Sequence, residues 1–468
     1  MYPDKDSFSA PQRPSRVRYG VLGFACTLSM ITYLDRVCFG TAMLYIKDEF
    51  LLSDKQKGWL FTAFGLAYAL FEVPSGWMGD VFGPRRTLIR IVLWWSLFTA
   101  LTGLIYPSSR WPWFAFTAML SVRFLFGMGE AGAYPNIARA FHNWFPFGER
   151  GFAQGTVWMA GRVAGGLAPF LMLALLFTTR TPEGQAVVHW RHPFWIFGGL
   201  GVLWCLAFRG WFRDRPERHP SVNAAELALI RGQVLTSESP LSAEKKEHVA
   251  DAAGHSGISW RRLLGSGNLW LLCLMYFCAS YGWYFNITWL PDYLASRYHV
   301  SKETYGFWTV SLMLGAPLLL GSFACLVGGL LTDSFIRRTG DRKWGRRLFG
   351  MLGHGVCALC YFLSLGASSP WLFVLAIALA AFWNDLTMGS AWASCIDIGG
   401  RYSGIVSGCM NTVGNLGGAA AGYATGWFVE SFPTHGWTVN FLVFGSVYVL
   451  AMLLWLRFDA TKPVVPAD

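Results

Sequence analysis

The chain has 468 residues, of which 54% are hydrophobic and 14% charged, where soluble proteins carry about 25% charged residues. This composition, rich in Gly, Phe and Trp, excludes an ordinary soluble domain and fits a polytopic helical membrane protein. The net charge of +11 would suit a nucleic-acid partner only if the basic residues formed one soluble patch.

The first eighteen residues are polar and basic. They lack the short apolar stretch and small-residue cleavage site of a signal peptide, so a cytoplasmic tail is expected. A membrane helix needs about 20 apolar residues. Uncharged runs place spans at 19–41, 57–78, 87–106, 112–138, 151–178 and 193–211, then at 268–290, 304–331, 347–366, 371–396, 402–429 and 438–457. The expected fold is an all-α membrane protein of twelve transmembrane helices in two pseudo-symmetric six-helix bundles. It divides into a tail (1–18), a first bundle (19–212), a central loop (213–262), a second bundle (263–458) and a second tail (459–468). Two divisions rest on turn chemistry: Pro107-Ser108-Ser109-Arg110 and Ala367-Ser368-Ser369-Pro370.

In this arrangement 27 Lys and Arg fall on the side of the termini and 8 on the other. The excess predicts a multi-pass protein of the cell membrane with both termini and the central loop in the cytoplasm. It explains the basic charge through topology, without nucleic acid. In the central loop, the spacing at 223–230 predicts a short amphipathic surface helix. The Ser-, Ala-, Lys- and Glu-rich stretch 236–256 reads as a flexible linker.

The first span carries no charge from Tyr19 to Leu34, then Asp35 and Arg36 side by side. Either charge costs at least ~2.5–3.5 kcal/mol in hydrocarbon, so each calls for a partner or a function. Adjacent helical residues point about 100° apart, so the two face different neighbours. Arg123 and Glu130 in span four lie two turns apart along one face. Arg162 in span five is a candidate second anion clamp; the alternative is snorkelling, or pairing with Asp385 or Glu72.

The halves repeat faintly. Ser53-Asp54-Lys55-Gln56-Lys57-Gly58 opens span two, and Ser301-Lys302-Glu303-Thr304-Tyr305-Gly306 opens span eight. Span two closes on Gly79-Asp80-Val81-Phe82-Gly83-Pro84-Arg85-Arg86, and span eight on Thr332-Asp333-Ser334-Phe335-Ile336-Arg337-Arg338. Such a repeat implies a duplicated transporter with its site between the halves.

The loop running from Gly76 to Arg86 resembles the cytoplasmic signature of the major facilitator superfamily. Tyr33-Leu34-Asp35-Arg36, the run from Arg123 to Pro135, Arg213-Asp214-Arg215-Pro216 and Trp289-Leu290-Pro291-Asp292 narrow the resemblance to its anion:cation symporters. The resemblance covers nearly the whole chain. It implies import of a small organic anion, such as a hexonate, glucarate or hexuronate, with protons by alternating access. An anion exchanger or a sodium-coupled carrier remains the alternative. The partners implied are a carboxylate substrate, protons and the bilayer, with a monomer expected.

Position by position, Arg36 matches the family's substrate-gripping arginine, and Tyr33 and Tyr68 its cavity tyrosines. Asp35 and Arg123 match a pair, and Glu130 the proton carrier. Ser390, Trp392, Ser394, Asn411 and Asn415 resemble positions that meet substrate hydroxyls; ordinary helix contacts are the alternative. Gly79, Asp80, Gly83, Arg85 and Arg86 match the gate, where Asp80 is expected to bond Arg85 or Arg86 and a neighbouring helix end. The physics agrees: an arginine fork fits a carboxylate, and a carboxyl deprived of water takes up a proton more readily. Glu72 departs from the neutral amide that relatives often carry, which leaves a second titrating site open. Spans seven and eight hold no internal Arg or Lys, unlike the two-arginine clamp of organophosphate antiporters.

Other signals are weak. The ten Cys lie in apolar segments, without a disulfide framework. Cys357 and Cys360 form a CxxC with no second pair or His cluster, so no metal or cofactor is expected. Asn286-Ile287-Thr288 is a sequon inside a span. No paired His or nucleophile–base set points to an enzyme, and no large soluble extension points to a sensor.

Overall fold

The computed structural model describes residues 13–52, 54–107, 113–175, 177–180, 186–231, 260–300, 302–432 and 434–464. Its first half contains α1 (Arg18–Phe50), α2 (Asp54–Phe82), α3 (Pro84–Thr102), α4 (Phe114–Glu130), α5 (Ala133–Trp144), α6 (Arg150–Leu175) and α7 (His192–Trp211). After the short α8 (Ala224–Arg231) and α9 (Trp260–Leu264) come α10 (Gly267–Thr288), α11 (Leu290–Tyr298), the single turn α12 (Lys302–Tyr305) and α13 (Phe307–Thr339). The chain then forms α14 (Arg342–Ser364), α15 (Pro370–Leu386), α16 (Met388–Gly399), α17 (Ser403–Ser431) and α18 (Gly436–Arg457).

These make twelve crossings, with spans four, seven and ten each built from two consecutive helices. Span four is 17 residues and then 12, and span ten is also 17 and then 12. The breaks have local causes. Pro135 and Pro291 have no N–H to donate to the carbonyl four residues back. In span ten the Thr387 hydroxyl donates to the Asn384 carbonyl at 2.7 Å, a side-chain bond that competes with the helix ladder. Ser369, in the predicted turn, caps α15 by accepting from the Leu372 N–H. Among the described residues, seven helical stretches are long and apolar enough to cross a membrane, and one of them, Pro370–Ser431, holds two crossings.

The packing repeats between halves. α1 lies on α6, α2 on α4 and α3 on α7; α10 lies on α17, α13 on α15 and α14 on α18. The halves meet where α2 crosses α17 and α6 crosses α13. Both crossings need glycine: a Cβ on Gly76 would come within 2.2 Å of the Gly404 carbonyl oxygen, and one on Gly155 within 2.1 Å of that of Cys325. Leu66, Leu203 and Leu363 stand more than half exposed on the outer surface, where lipid is as apolar as they are.

Two features lie outside the expected plan. Span five ends at Leu175 rather than 178, and Phe177–Arg180 pairs antiparallel with Ala186–His189 in a small hairpin. The central-loop helix, expected at the membrane surface, docks on the tail. Buried Glu226 of α8 accepts from the backbone N–H groups of Val17 and Arg18 and from the Arg18 guanidinium, which also pairs with Glu149. The predicted linker 236–256 lies outside the described residues.

Candidate functional site

A cavity of about 340 Å³ opens at mid-membrane between the halves. Spans one, two, four and five wall it on one side, and spans seven, eight, ten and eleven on the other. Its volume sits at the low end of the ~300–1,000 Å³ typical of ligand pockets, which suits a small molecule. Tyr33, Tyr68, Tyr134, Trp158, Tyr276, Trp283 and Tyr284 line it. Such a wall offers apolar faces to a carbon chain and hydroxyls to its polar groups.

Arg36 brings a positive charge to the cavity from span one. Its Nε donates to Glu130 Oε1 at 2.5 Å, joining spans one and four. Its guanidinium lies 4.7 Å from the Tyr68 ring centre and 5.9 Å from that of Tyr33. Nη2 of Arg36 and Oε2 of Glu130 have no hydrogen-bond partner, although Glu130 is fully buried. The arginine therefore lines the cavity with one of its prongs buried and unmatched.

Asp35 turns the other way, as the 100° offset requires, and lies 4% exposed. The expected Asp35–Arg123 pair does not form: neither Asp35 oxygen has a hydrogen-bond partner. Arg123 instead packs on the face of Phe39, 3.9 Å from its centroid, with Phe64 and Phe126 beside it. Phe39 is one turn beyond Asp35, so the aromatic face takes the place a direct ion pair would occupy. Arg36–Glu130 is the pair that the structure forms.

In the second half, Asn411 and Asn415 line the cavity and hold Glu72 of span two. Asn411 Nδ2 donates to Glu72 Oε1, and Asn415 Nδ2 reaches Oε2 at 3.5 Å. Ser390 and Trp392 are not cavity residues. Ser390 is buried and shares a 2.8 Å hydrogen bond with Thr332. Trp392 is buried behind Trp158 and Tyr276, donating to the Tyr276 hydroxyl at 3.2 Å. Ser394 donates to the Ser390 carbonyl one turn back. Asn384 and Met388 face the cavity from span ten instead.

Arg162 pairs with Asp385, not Glu72: Nη2 donates to Asp385 Oδ1 at 2.9 Å. In the mid-membrane interior the described residues thus place Arg36, Arg123 and Arg162 among four carboxyls, Asp35, Glu72, Glu130 and Asp385.

On the side of the termini the halves are latched. Asp80 accepts from the Gly404 and Ile405 N–H groups at 3.0 and 2.8 Å, at the start of α17, with Arg139 at 3.6 Å. The expected bonds from Arg85 or Arg86 are absent. The reason is the turn at Gly83, whose φ of +86° and following proline swing those residues away from Asp80. The Arg85 N–H donates to Asp214 at 2.8 Å, and its guanidinium to the Arg209 carbonyl; Arg86 is exposed. Burial pushes the Asp214 carboxyl up, opposed by that N–H and the nearby arginines. Gly79 lets Asn136 pass: a Cβ there would lie 1.9 Å from its Oδ1. Asp333 repeats the latch in the second half, accepting from the Gly151 and Phe152 N–H groups at the start of α6 and from Arg346.

Sequence reading missed Tyr134, Trp158, Tyr276 and Trp283. With 24 Trp in the chain, an aromatic carries no positional signal.

Comparison with known proteins bears on the same architecture. The model of the Major Facilitator Superfamily matches residues 25–422. The probable sulfoacetate transporter SauU of Cupriavidus necator is 31% identical, over 97% of this chain and 96% of its own. The probable galactarate/D-glucarate transporter GudP of Escherichia coli is 28% identical, over 95% and 94%. Among solved structures, the proton:xylose symporter XylE superposes with a TM-score of 0.72 at 14% identity, covering 96% of this chain and 98% of its own.

Proposed function

This chain belongs to the major facilitator superfamily, in its anion:cation symporter-type branch, and we propose that it imports a small organic acid with protons by alternating access. The observation that carries the proposal is Arg36: a cavity arginine tied to a buried carboxylate, with one prong left over. An incoming carboxylate satisfies that prong and competes with Glu130 for the guanidinium. Glu130, losing its cation while fully buried, then takes a proton. Anion and proton bind as a set, which lowers the charge that must cross the bilayer.

Four carboxyls against three arginines support the coupling. The cavity cannot accept a further anion at low cost unless carboxyls are neutralised. Asp35, whose oxygens meet no arginine or lysine among the described residues, and Glu72, held by the Asn411 and Asn415 amides, are the further sites where protons are carried. Relatives are named as a probable sulfoacetate transporter and a probable galactarate/D-glucarate transporter, which makes a sugar acid or a similar short acid the class we propose here. The cavity is lined within one chain, which supports a monomer as the working unit. The basic excess supports a cytoplasmic location for both termini and the latched side, which makes the described state, on this reading, the one closed to the cytoplasm.

A thermal-shift panel of carboxylates, sulfonates and neutral sugars on the purified protein tests the substrate class, because a ligand of the folded state stabilises it. Stabilisation by acids and not by the neutral sugars is expected. Stabilisation by neutral sugars alone would sink the organic-acid reading.

A further inference from the structure

The geometry points to a second anion subsite at Arg162, so that the transported acid carries two anionic groups and Asp385 fills the place of the second when the cavity is empty. The inference rests on the organic-acid reading above and adds to it a required charge number.

Arg162 lines the cavity from span five and is 5% exposed. A buried guanidinium commonly satisfies its five N–H groups with carboxylates or carbonyls. Here one bond is made to Asp385, while Nε and Nη1 have no hydrogen-bond partner, with only the weakly accepting Cys325 thiol nearby. Asp385 is equally under-used: Oδ1 takes Arg162 and the Asn384 amide, and Oδ2 has no partner. A pair built only as a structural bridge between α6 and α15 would be expected to close the fork on both oxygens. This one is held by a single prong and leaves two buried donors unmatched beside the cavity, a loosely seated carboxylate that another acid group can replace.

The surroundings fix the fork in place. Trp283 lies against its face, 4.6 Å from Cζ to the ring centre. Gly161 and Gly165, on either side along α6, let the Tyr33 ring pack directly on this turn: Cβ atoms there would meet it at 2.7 and 3.0 Å. Arg36 borders the same ring, so Tyr33 stands between two cavity arginines. An acid with one anionic group on each fork would lie across that ring with its carbon chain on the aromatic face. Asp385 belongs to the opposite half from Arg162. A substrate that takes its place therefore changes a contact between the halves, which ties occupancy of the second subsite to their rearrangement.

The test compares matched acids on purified protein by calorimetry: sulfoacetate against acetate, and D-glucarate against D-gluconate. The wild type is expected to bind the doubly charged member of a pair at least about tenfold more tightly. Arg162→Gln is expected to lower dianion affinity about tenfold or more while leaving monoanion affinity within about twofold. Asp385→Asn, which removes the competing charge, is expected to raise dianion affinity several-fold, and it serves as the second measurement if Arg162→Gln fails to fold. Equal losses for both classes in Arg162→Gln, or a fall in dianion affinity in Asp385→Asn, would overturn the subsite. If the wild type bound none of these acids yet bound neutral sugars, the organic-acid reading itself would fall, and the subsite with it.

Discussion

Asp80 on α2 and Asp333 on α13 hold equivalent positions and do the same work on opposite halves. Each accepts two backbone N–H groups from the first turn of a helix across the interface, α17 for Asp80 and α6 for Asp333. The exposed N–H groups of a helix start and its positive dipole end favour a carboxylate there.

Breaking either latch is therefore expected to open the side of the termini. A hydrogen bond to a charged group is worth about 1.5–3 kcal/mol. Asp80→Ala or Asp333→Ala should thus shift the conformational balance on the order of 10- to 100-fold. Spin labels on Arg86 and Arg401, both exposed and in separate halves, would report longer distances in each variant. Unchanged distances in both would remove the latch role.

Arg36→Lys keeps the charge and loses the fork. Nε holds Glu130 while Nη2 has no hydrogen-bond partner among the described residues, and a lysine has no rigid fork that presents two such groups at fixed spacing. Affinity for the acid is expected to fall about 10- to 100-fold by calorimetry. Near-normal affinity would take Arg36 out of the substrate-reading role.

Ser390 and Asn411 separate wall from support. Ser390→Ala loses the Thr332 contact behind the cavity and should cost on the order of 1 kcal/mol of stability, with substrate affinity within about twofold. Asn411→Ala removes a cavity amide and a Glu72 partner. Affinity should fall several-fold. Equal effects of the two substitutions on affinity would contradict the placement.

The tail docking should be sensitive to acid. Burial pushes Glu226 up, but the bonds from Ser15, Arg18 and Val17 win and hold it below its ordinary range. A carboxylate lowered in the docked state contributes stability above the undocked value, near 4.3, and loses it as pH falls through the docked one. Amide exchange at Val17 and Arg18 is expected to speed up in that acid window, and Glu226→Gln should bring the faster exchange to neutral pH.

Much of this was legible because charges in hydrocarbon are rare. Asp35, Arg36, Arg123, Glu130 and Arg162 stand out against apolar runs, and the Asp80/Asp333 repeat survives in the two loop sequences. Partner choice was not legible. Arg123 meets an aromatic face one turn from Asp35, and only the packed rings reveal that. Span ten misled for a related reason. It is apolar on every side, so periodicity does not set its rotation. Its break at Thr387 puts Asn384 and Met388 at the cavity and leaves Trp392 behind Trp158.

Proton-driven uptake into proteoliposomes tests the central claim most directly. With the acid outside and an imposed pH gradient, acidic outside, the wild type should accumulate it, and a protonophore should abolish the accumulation. Glu130→Gln, which cannot take up the proton, should lose accumulation yet still exchange acid for acid across a membrane without a gradient. Accumulation by Glu130→Gln equal to the wild type, or wild-type uptake indifferent to the gradient, would contradict the account.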